Sequence, residues 1–155
     1  MDALSSALKE FFQDNLVSVV LFGSVARGEA SELSDVDLLI VCEELPGSRW
    51  KRYALFHQAV ASLAGILEKL ARQHYYPEFR PVLKTRREAE VHTPLYLDMA
   101  EDAWILYDRD GFFAGVLAGL RQRLAELGAR RVFLGDGSWY WDLKPDYRFG
   151  EIFEI

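Results

Sequence analysis

Apolar residues recur along the first half of the chain with the spacings of alternating helices and strands. One stripe of Leu and Phe at helical spacing predicts a helix over about residues 3–14, and a second stripe predicts a helix over about residues 48–73. Between them lie two short apolar runs rich in β-branched residues, at 16–22 and 35–41, which are typical of buried strands. The first half of the chain therefore predicts the order α-β-β-α.

A third strand is predicted over residues 76–83, where two prolines interrupt the pattern. Pro77 and Pro81 each lack the backbone N–H that a ladder hydrogen bond needs. We therefore expect this strand to lie at the edge of a sheet or to be irregular.

Helix-start signals follow the third strand. Thr85 and Glu88 have the spacing of a capping box, which predicts a short helix there. Thr93 followed by Pro94 predicts a second helix, which we extend to about Tyr107.

The last third of the chain predicts helices and a hairpin. Asp98 and its acidic neighbours at helical spacing indicate a solvated helix face, and an apolar stripe predicts a further helix that ends at Gly128. An Asp-Gly step between the apolar runs 131–134 and 139–143 predicts a β-hairpin. The aromatic residues of this segment favour packing within the hairpin or against a partner over stacking on bases.

Composition narrows the classes of function. The chain has 155 residues, a formal net charge of −6 and a single cysteine, Cys42. One domain is expected at this length, and the acidic balance argues against binding to nucleic acid through bulk charge. A lone cysteine excludes an internal disulfide and a multi-cysteine zinc site. No signal peptide or membrane span is predicted, so we expect a cytoplasmic protein.

The segment with the clearest chemistry is 21–41, LFGSVARGEASELSDVDLLIV. Gly23 and Ser24 stand where a strand ends and a turn or short helix begins, an arrangement in which backbone N–H groups and a hydroxyl suit a phosphate. After ten intervening residues, Asp35 and Asp37 lie two apart on a predicted strand, so that their carboxylates share one face. Hard oxygen ligands of this kind favour Mg²⁺ or Mn²⁺. Either feature alone is commonly a plain turn or a solvated pair, but the combination is restrictive.

These residues resemble the signature of the nucleotidyltransferase superfamily, and most closely that of the minimal nucleotidyltransferases of bacteria and archaea. The matching positions are Gly23, Ser24, Gly28, Asp35 and Asp37. The resemblance implies an α/β (α+β) nucleotidyltransferase fold, a small mixed sheet flanked by helices, over residues 1–92. Residues 93–155 would then form C-terminal helices and a β-hairpin packed on this core as an appendage.

The resemblance also implies roles for particular residues. Gly23 and Ser24 would hold the triphosphate of a nucleoside triphosphate, with ATP as the expected donor. Asp35 and Asp37 would be catalytic ligands of two Mg²⁺ ions, for which Mn²⁺ could substitute. Such enzymes transfer a nucleoside monophosphate to a hydroxyl group and release pyrophosphate.

Two further site residues are left with alternatives. The superfamily usually has a third carboxylate on a later strand, and Glu78 is the acidic candidate here for a catalytic metal ligand; the alternative is a solvated strand residue. Arg27 has the bidentate guanidinium that suits phosphate, and its alternative is a solvated loop arginine.

The physiological role also has two readings. By the resemblance, the acceptor hydroxyl could be a tyrosine of a partner protein. Alternatively, the chain is an antitoxin-type binding module that neutralises a helical HEPN toxin by forming a complex. The acceptor, the preferred base and the existence of a homo-oligomer are left open by the sequence.

Overall fold

The structure is a computed structural model that describes residues 1–30 and 34–155. In these residues a four-stranded sheet and a separate two-stranded hairpin accompany seven α-helices. The helices are α1 (Asp2–Phe12), α2 (Gly23–Ala26), α3 (Arg49–Val60), α4 (Ala64–Ala71), α5 (Arg86–Ala89), α6 (Leu95–Asp102) and α7 (Phe112–Glu126). The strands are β1 (Leu16–Phe22), β2 (Val36–Cys42), β3 (Phe79–Thr85), β4 (Trp104–Asp108), β5 (Arg130–Phe133) and β6 (Trp139–Asp142).

The main sheet is mixed, with the strand order β3-β2-β1-β4. Strand β1 is antiparallel to both β2 and β4, whereas β2 and β3 are parallel. The predicted mixed sheet flanked by helices is therefore confirmed. The prolines also predicted the position of β3 correctly, because it is an edge strand, although it begins at Phe79 rather than at residue 76.

The sheet separates two hydrophobic cores. Along β2, Val36 and Leu38 pack with residues of α1 and α3, whereas Leu39 and Val41 pack with residues of α6 and α7. This alternation follows from the two-residue period of a strand, and burial on both faces explains why β2 is almost continuously apolar. The result is three layers, helix, sheet and helix.

The predicted helix from Pro94 to Tyr107 is wrong in its second half. Helix α6 ends at Asp102, and the following residues form β4, in which Ile105 pairs with Val20 and Tyr107 with Val19 of β1. Apolar residues that suit a helix also suit a strand, and the open edge of β1 decides between them. The main sheet therefore takes its fourth strand from beyond residue 92.

Several local signals are confirmed. The capping box is formed, because the backbone N–H of Glu88 donates to Thr85 Oγ1 at 3.2 Å and the backbone N–H of Thr85 donates to the Glu88 carboxylate at 2.8 Å. Gly128 follows the last helix in the left-handed conformation, with φ +67°. The hairpin lies where the Asp-Gly step predicts it, whereas the helix predicted over 48–73 is interrupted by a 3₁₀ turn at Ala61–Leu63.

None of the helices within the described ranges has both the length and the hydropathy that a bilayer span requires.

Candidate active site

The chain turns sharply at the end of β1. Gly23 follows Phe22 with φ +74° and begins α2, a single helical turn. The half-buried Ser24 comes next, and its hydroxyl has no hydrogen-bond partner among the described residues. The turn therefore presents a hydroxyl beside the end of a central strand, as the sequence predicts.

Asp37 lies directly beside this turn. It belongs to β2 and pairs across the antiparallel ladder with Phe22, the residue before Gly23. A Cβ atom at position 23 would overlap Asp37 Oδ2 and would lie 3.1 Å from its Cγ. The position thus requires glycine both for its backbone conformation and for the close approach of the carboxylate.

Asp35 is one residue before β2, and the strand period places it on the same face as Asp37, opposite the buried Val36. Burial raises the pKa of the Asp37 carboxyl, and the nearby Asp35 carboxylate raises it further; the Arg80 and Arg27 guanidinium groups lower this pKa. A cation beside these two carboxylates would be stabilised by both of their negative charges. Residues 31–33, between the turn and the aspartates, lie outside the described residues.

Arg80 places a positive charge beside Asp35 and Asp37, and it was not among the site residues predicted from the sequence. It is the parallel register partner of Asp37, and its Nε atom lies 2.7 Å from Asp35 Oδ2. The sequence shows an arginine on a predicted edge strand but not the register that sets it against Asp37. Because Arg80 is more than half exposed, this ion pair contributes little to stability.

Glu78 is not grouped with the two aspartates. Its backbone carbonyl accepts a hydrogen bond from the Val36 N–H at 2.8 Å, whereas its side chain is 71% exposed and lies 3.7 Å from Arg80. Arg80 therefore contacts both Glu78 and Asp35. In the part of the chain that the structure describes, no three acidic, histidine or cysteine side chains form a group that could hold a metal ion. The assignment of Glu78 as third ligand stays a prediction.

Arg27 lies on the loop after α2 and is mostly covered. Its Nε atom donates to Glu29 Oε2 at 2.7 Å, and its guanidinium carbon lies 4.7 Å from the centroid of the Trp139 ring in β6. Its side chain is only 20% exposed. Arg27 therefore contacts the C-terminal hairpin (β5 and β6) and is not the solvated loop arginine of the alternative interpretation.

The interpretation of Asp98 as part of a solvated helix face is incomplete, because its side chain is 46% exposed but also has hydrogen-bond partners. Its Oδ1 atom accepts hydrogen bonds from the indole N–H groups of Trp139 at 3.1 Å and Trp141 at 3.0 Å. Arg131 of β5 lies 3.8 Å from Asp98 and 2.8 Å from Asp102. These contacts attach the C-terminal hairpin to α6, and they join residues 29 to 43 positions apart, which helix spacing does not reveal.

A cavity of about 470 Å³ lies elsewhere, beside the other end of β3. Arg52, Lys84 and Glu88 are among its lining residues, and Gly23, Ser24, Asp35 and Asp37 are not. Arg52 and Glu88 are hydrogen-bonded to each other there. The Gly-Ser turn and the two aspartates instead lie where β1 ends and β2 begins.

The Gly-Ser turn after the first strand packs against Asp37 of the neighbouring strand, and Asp35 comes one residue before that strand. These are the residues whose pattern resembles the signature of the nucleotidyltransferases. The chain belongs to the nucleotidyltransferase domain family, whose model matches residues 1–96. The match contains the turn, both aspartates and all of β3.

Relatives of this chain are found among archaeal proteins. This chain is 34% identical over 123 residues, 78% of each chain, to a Methanocaldococcus jannaschii protein named "Putative protein adenylyltransferase MJ1305". It is 44% identical over 45 residues, 29% of this chain and 46% of the relative, to the similarly named MJ0141 of the same organism. A solved toxin-antitoxin structure with AMP-PNP aligns at 18% identity and a TM-score of 0.48, covering 82% of this chain and 92% of that one.

Proposed function

We propose that this nucleotidyltransferase transfers AMP from ATP to a hydroxyl group of a protein. The observation that carries the proposal is the packing of the Gly23 turn against the Asp37 carboxylate, with Asp35 on the same face. The name of MJ1305, which is similar over most of both chains, supports ATP as donor and a protein as acceptor.

In this proposal the residues of the turn hold the nucleotide. Gly23 lets the triphosphate approach the backbone, and Ser24 offers its hydroxyl. The guanidinium of Arg27 adds a charged donor that suits phosphate oxygens. The Ser24 hydroxyl, which has no partner among the described residues, supports this assignment.

The aspartates fit a divalent cation. Asp35 and Asp37 offer oxygen ligands. Burial and the nearby Asp35 carboxylate raise the pKa of Asp37, and the Arg80 guanidinium lowers it without cancelling that rise. A bound Mg²⁺ or Mn²⁺ would supply Lewis-acid stabilisation of charge on the phosphate oxygens. We propose two ions by resemblance, with Glu78 as the third carboxylate.

The chemical step is an in-line displacement. The acceptor oxygen forms a bond to the α-phosphorus, the bond from that phosphorus to the bridging β-oxygen breaks, and pyrophosphate leaves. The hydroxyl proton has to pass to a base, and Glu78 is the candidate carboxylate. Positioning by Ser24 and Arg27 and electrostatic stabilisation then account for most of the rate, as in other phosphoryl-type transfers.

The test is transfer of label from α-³²P-ATP, with Mg²⁺, to a helical HEPN protein and to the chain itself. We expect radiolabelled protein and released pyrophosphate, and a fall of about 100-fold in Asp37→Asn, since the loss of one electrostatic partner commonly costs that much. Asp110→Asn, on an exposed turn, is the matched control and should keep full activity. If the wild type releases no pyrophosphate with any acceptor, the proposal fails.

A second candidate function is the neutralisation of a HEPN partner by complex formation alone. Exposed apolar residues near the C-terminus favour a protein partner, because Phe149 and Ile152 are almost fully exposed. The two functions separate in the double variant Asp35→Ala/Asp37→Ala. A variant that still neutralises the partner without transfer would show that binding is the function.

A further inference from the structure

The C-terminal hairpin reaches the proposed nucleotide site through one side chain. Trp139 of β6 contacts Arg27, which follows the Gly23 turn by only a few residues. More than a hundred positions separate the two along the chain. The contact therefore joins the appended part of the fold to the loop that carries the proposed phosphate ligands.

Trp139 is itself held in place. Its indole N–H donates to Asp98 on α6, and the Arg131 guanidinium carbon lies 5.2 Å from its ring centroid. Arg131 is in turn paired with Asp102 at 2.8 Å, which fixes the hairpin against α6 from a second point. A tryptophan held by this hydrogen bond and in contact with Arg131 offers Arg27 a positioned aromatic ring.

Arg27 is directed by two contacts. Glu29 accepts a hydrogen bond from its Nε atom at 2.7 Å, and the Trp139 ring covers part of the guanidinium. These two contacts limit the positions that the guanidinium can take, close to the turn that begins at Gly23.

A base-stacking role for Trp139 fits the structure less well. Besides Arg27 and Arg131, the Phe133 ring lies with its centroid 6.1 Å from that of Trp139. A ring with three such neighbours has little free face for a nucleobase. The contacts favour a positioning role.

We propose that Trp139 is a positioning residue that holds Arg27 for the nucleotide phosphates, so that the C-terminal hairpin is part of the nucleotide site. This inference rests on the proposed function. Its expected size follows from the free energy of a cation–π contact, which corresponds to about three- to thirtyfold in affinity.

The experiment measures two quantities in matched variants: the dissociation constant of ATP and the NMR signal of the Arg27 Nε–H group. In Trp139→Leu, the dissociation constant of Mg²⁺-free ATP, measured by calorimetry, should rise three- to thirtyfold. Trp139→Phe, which keeps an aromatic face, should recover part of the affinity. Tyr140→Leu, the adjacent and exposed residue of the same strand, should bind as the wild type does.

A double-mutant cycle separates positioning from general damage. If Trp139 acts through Arg27, then Arg27→Met/Trp139→Leu should bind ATP no more weakly than Arg27→Met alone. The Arg27 Nε–H signal in a ¹⁵N spectrum gives a readout without nucleotide, and it should lose its ring-current shift in Trp139→Leu but not in Tyr140→Leu.

The outcomes are distinct. A wild type that binds ATP while Trp139→Leu binds equally well, or a cycle with fully additive effects, would overturn this inference and leave the proposed function standing. An unchanged Arg27 signal in Trp139→Leu would also overturn it. A wild type that binds no ATP would instead overturn the proposed function, and this inference with it.

Discussion

The backbone of Gly23 and the carboxylate of Asp37 are packed so closely that no side chain fits between them. A Cβ at position 23 would overlap Oδ2 of Asp37, and the backbone there has φ +74°. The turn and the acidic strand thus form one unit, and the position of the carboxylate depends on the absence of a side chain opposite it.

Gly23→Ala should therefore displace Asp37. We expect nucleotidyl transfer to fall about 100-fold, because displacement of a reacting group by about 1 Å can have that effect. Initial rates of pyrophosphate release measure it. The matched control is Gly111→Ala, which has a similar φ of +67° but no atom within 4 Å of the added Cβ. The control should lose stability by about 1–2 kcal/mol from backbone strain and keep its activity; equal activity losses would contradict the packing argument.

Arg80 should compete with a metal ion for Asp35. Its guanidinium pairs with the Asp35 carboxylate and contacts Glu78, so Arg80→Gln removes one positive charge from the place where a cation would bind. We expect Mn²⁺ to bind about two- to fivefold more tightly, the effect of an exposed ion pair of up to about 1 kcal/mol. Electron paramagnetic resonance titration without nucleotide measures the affinity, and Arg87→Gln, at an exposed position of α5, is the control. Weaker binding in Arg80→Gln would show that the arginine orients the carboxylate instead.

Asp108 should be important for stability rather than activity. Its carboxylate accepts hydrogen bonds from the Ser18 hydroxyl at 2.6 Å and from the backbone N–H groups of Phe113 and Ala114, in the first turn of α7. Ser18 is fully buried, so Asp108→Ala leaves its hydroxyl without this acceptor and also removes the helix cap. We expect the free energy of unfolding in urea to fall by about 2–3 kcal/mol.

A second substitution tests the cause of that loss. Adding Ser18→Ala to Asp108→Ala removes the hydroxyl that would otherwise be unpaired. The double variant should recover about 1 kcal/mol of the free energy of unfolding. If it is instead less stable than Asp108→Ala alone, the buried hydroxyl is not the source of the cost.

Glu88 should make the free energy of unfolding fall at acidic pH. The hydrogen bond from Arg52, followed by that from the Thr85 backbone, lowers the pKa of Glu88 from 4.5 to about 2. A lowered pKa in the folded state contributes stability that is complete above pH 4.5 and is lost as the pH falls towards 2. Since the carboxylate is 46% exposed, screening limits this contribution to about 0.5–1 kcal/mol.

The variant Glu88→Gln keeps an acceptor for the capping box and removes the charge. Its free energy of unfolding should be lower than that of the wild type at pH 7, and the difference should disappear near pH 2. Glu90→Gln, which has no ion-pair partner among the described residues, should show no such pH-dependent difference. A difference for Glu88→Gln that persists at pH 2 would contradict the pKa argument.

Local patterns were sufficient for much of the fold and for part of the site. Strand β1 lies at Leu16–Phe22 as predicted, and the capping box of Thr85 is formed. These features depend on near neighbours or on continuous burial, which composition and spacing reveal directly. The Gly23 turn and the aspartate pair belong to the same group, because strand periodicity alone sets Asp35 and Asp37 on one face.

The predictions that went wrong or missed a residue involve contacts between distant parts of the chain. The residues of β4 were predicted as helix because their pairing with β1 is invisible in their own spacing. Asp98 was predicted as solvated because the two indoles that donate to it come from a hairpin about forty residues later.

By itself the sequence determined the elements, the turn and the two carboxylates, since each of these follows from the periodicity and conformational preferences of adjacent residues. Only the tertiary structure decided that Arg80 stands beside Asp37 and that Trp139 covers Arg27. The reason is physical: the register between parallel strands and the docking of a hairpin are set by the packing of whole surfaces against each other. A short stretch of sequence does not determine how such surfaces pack.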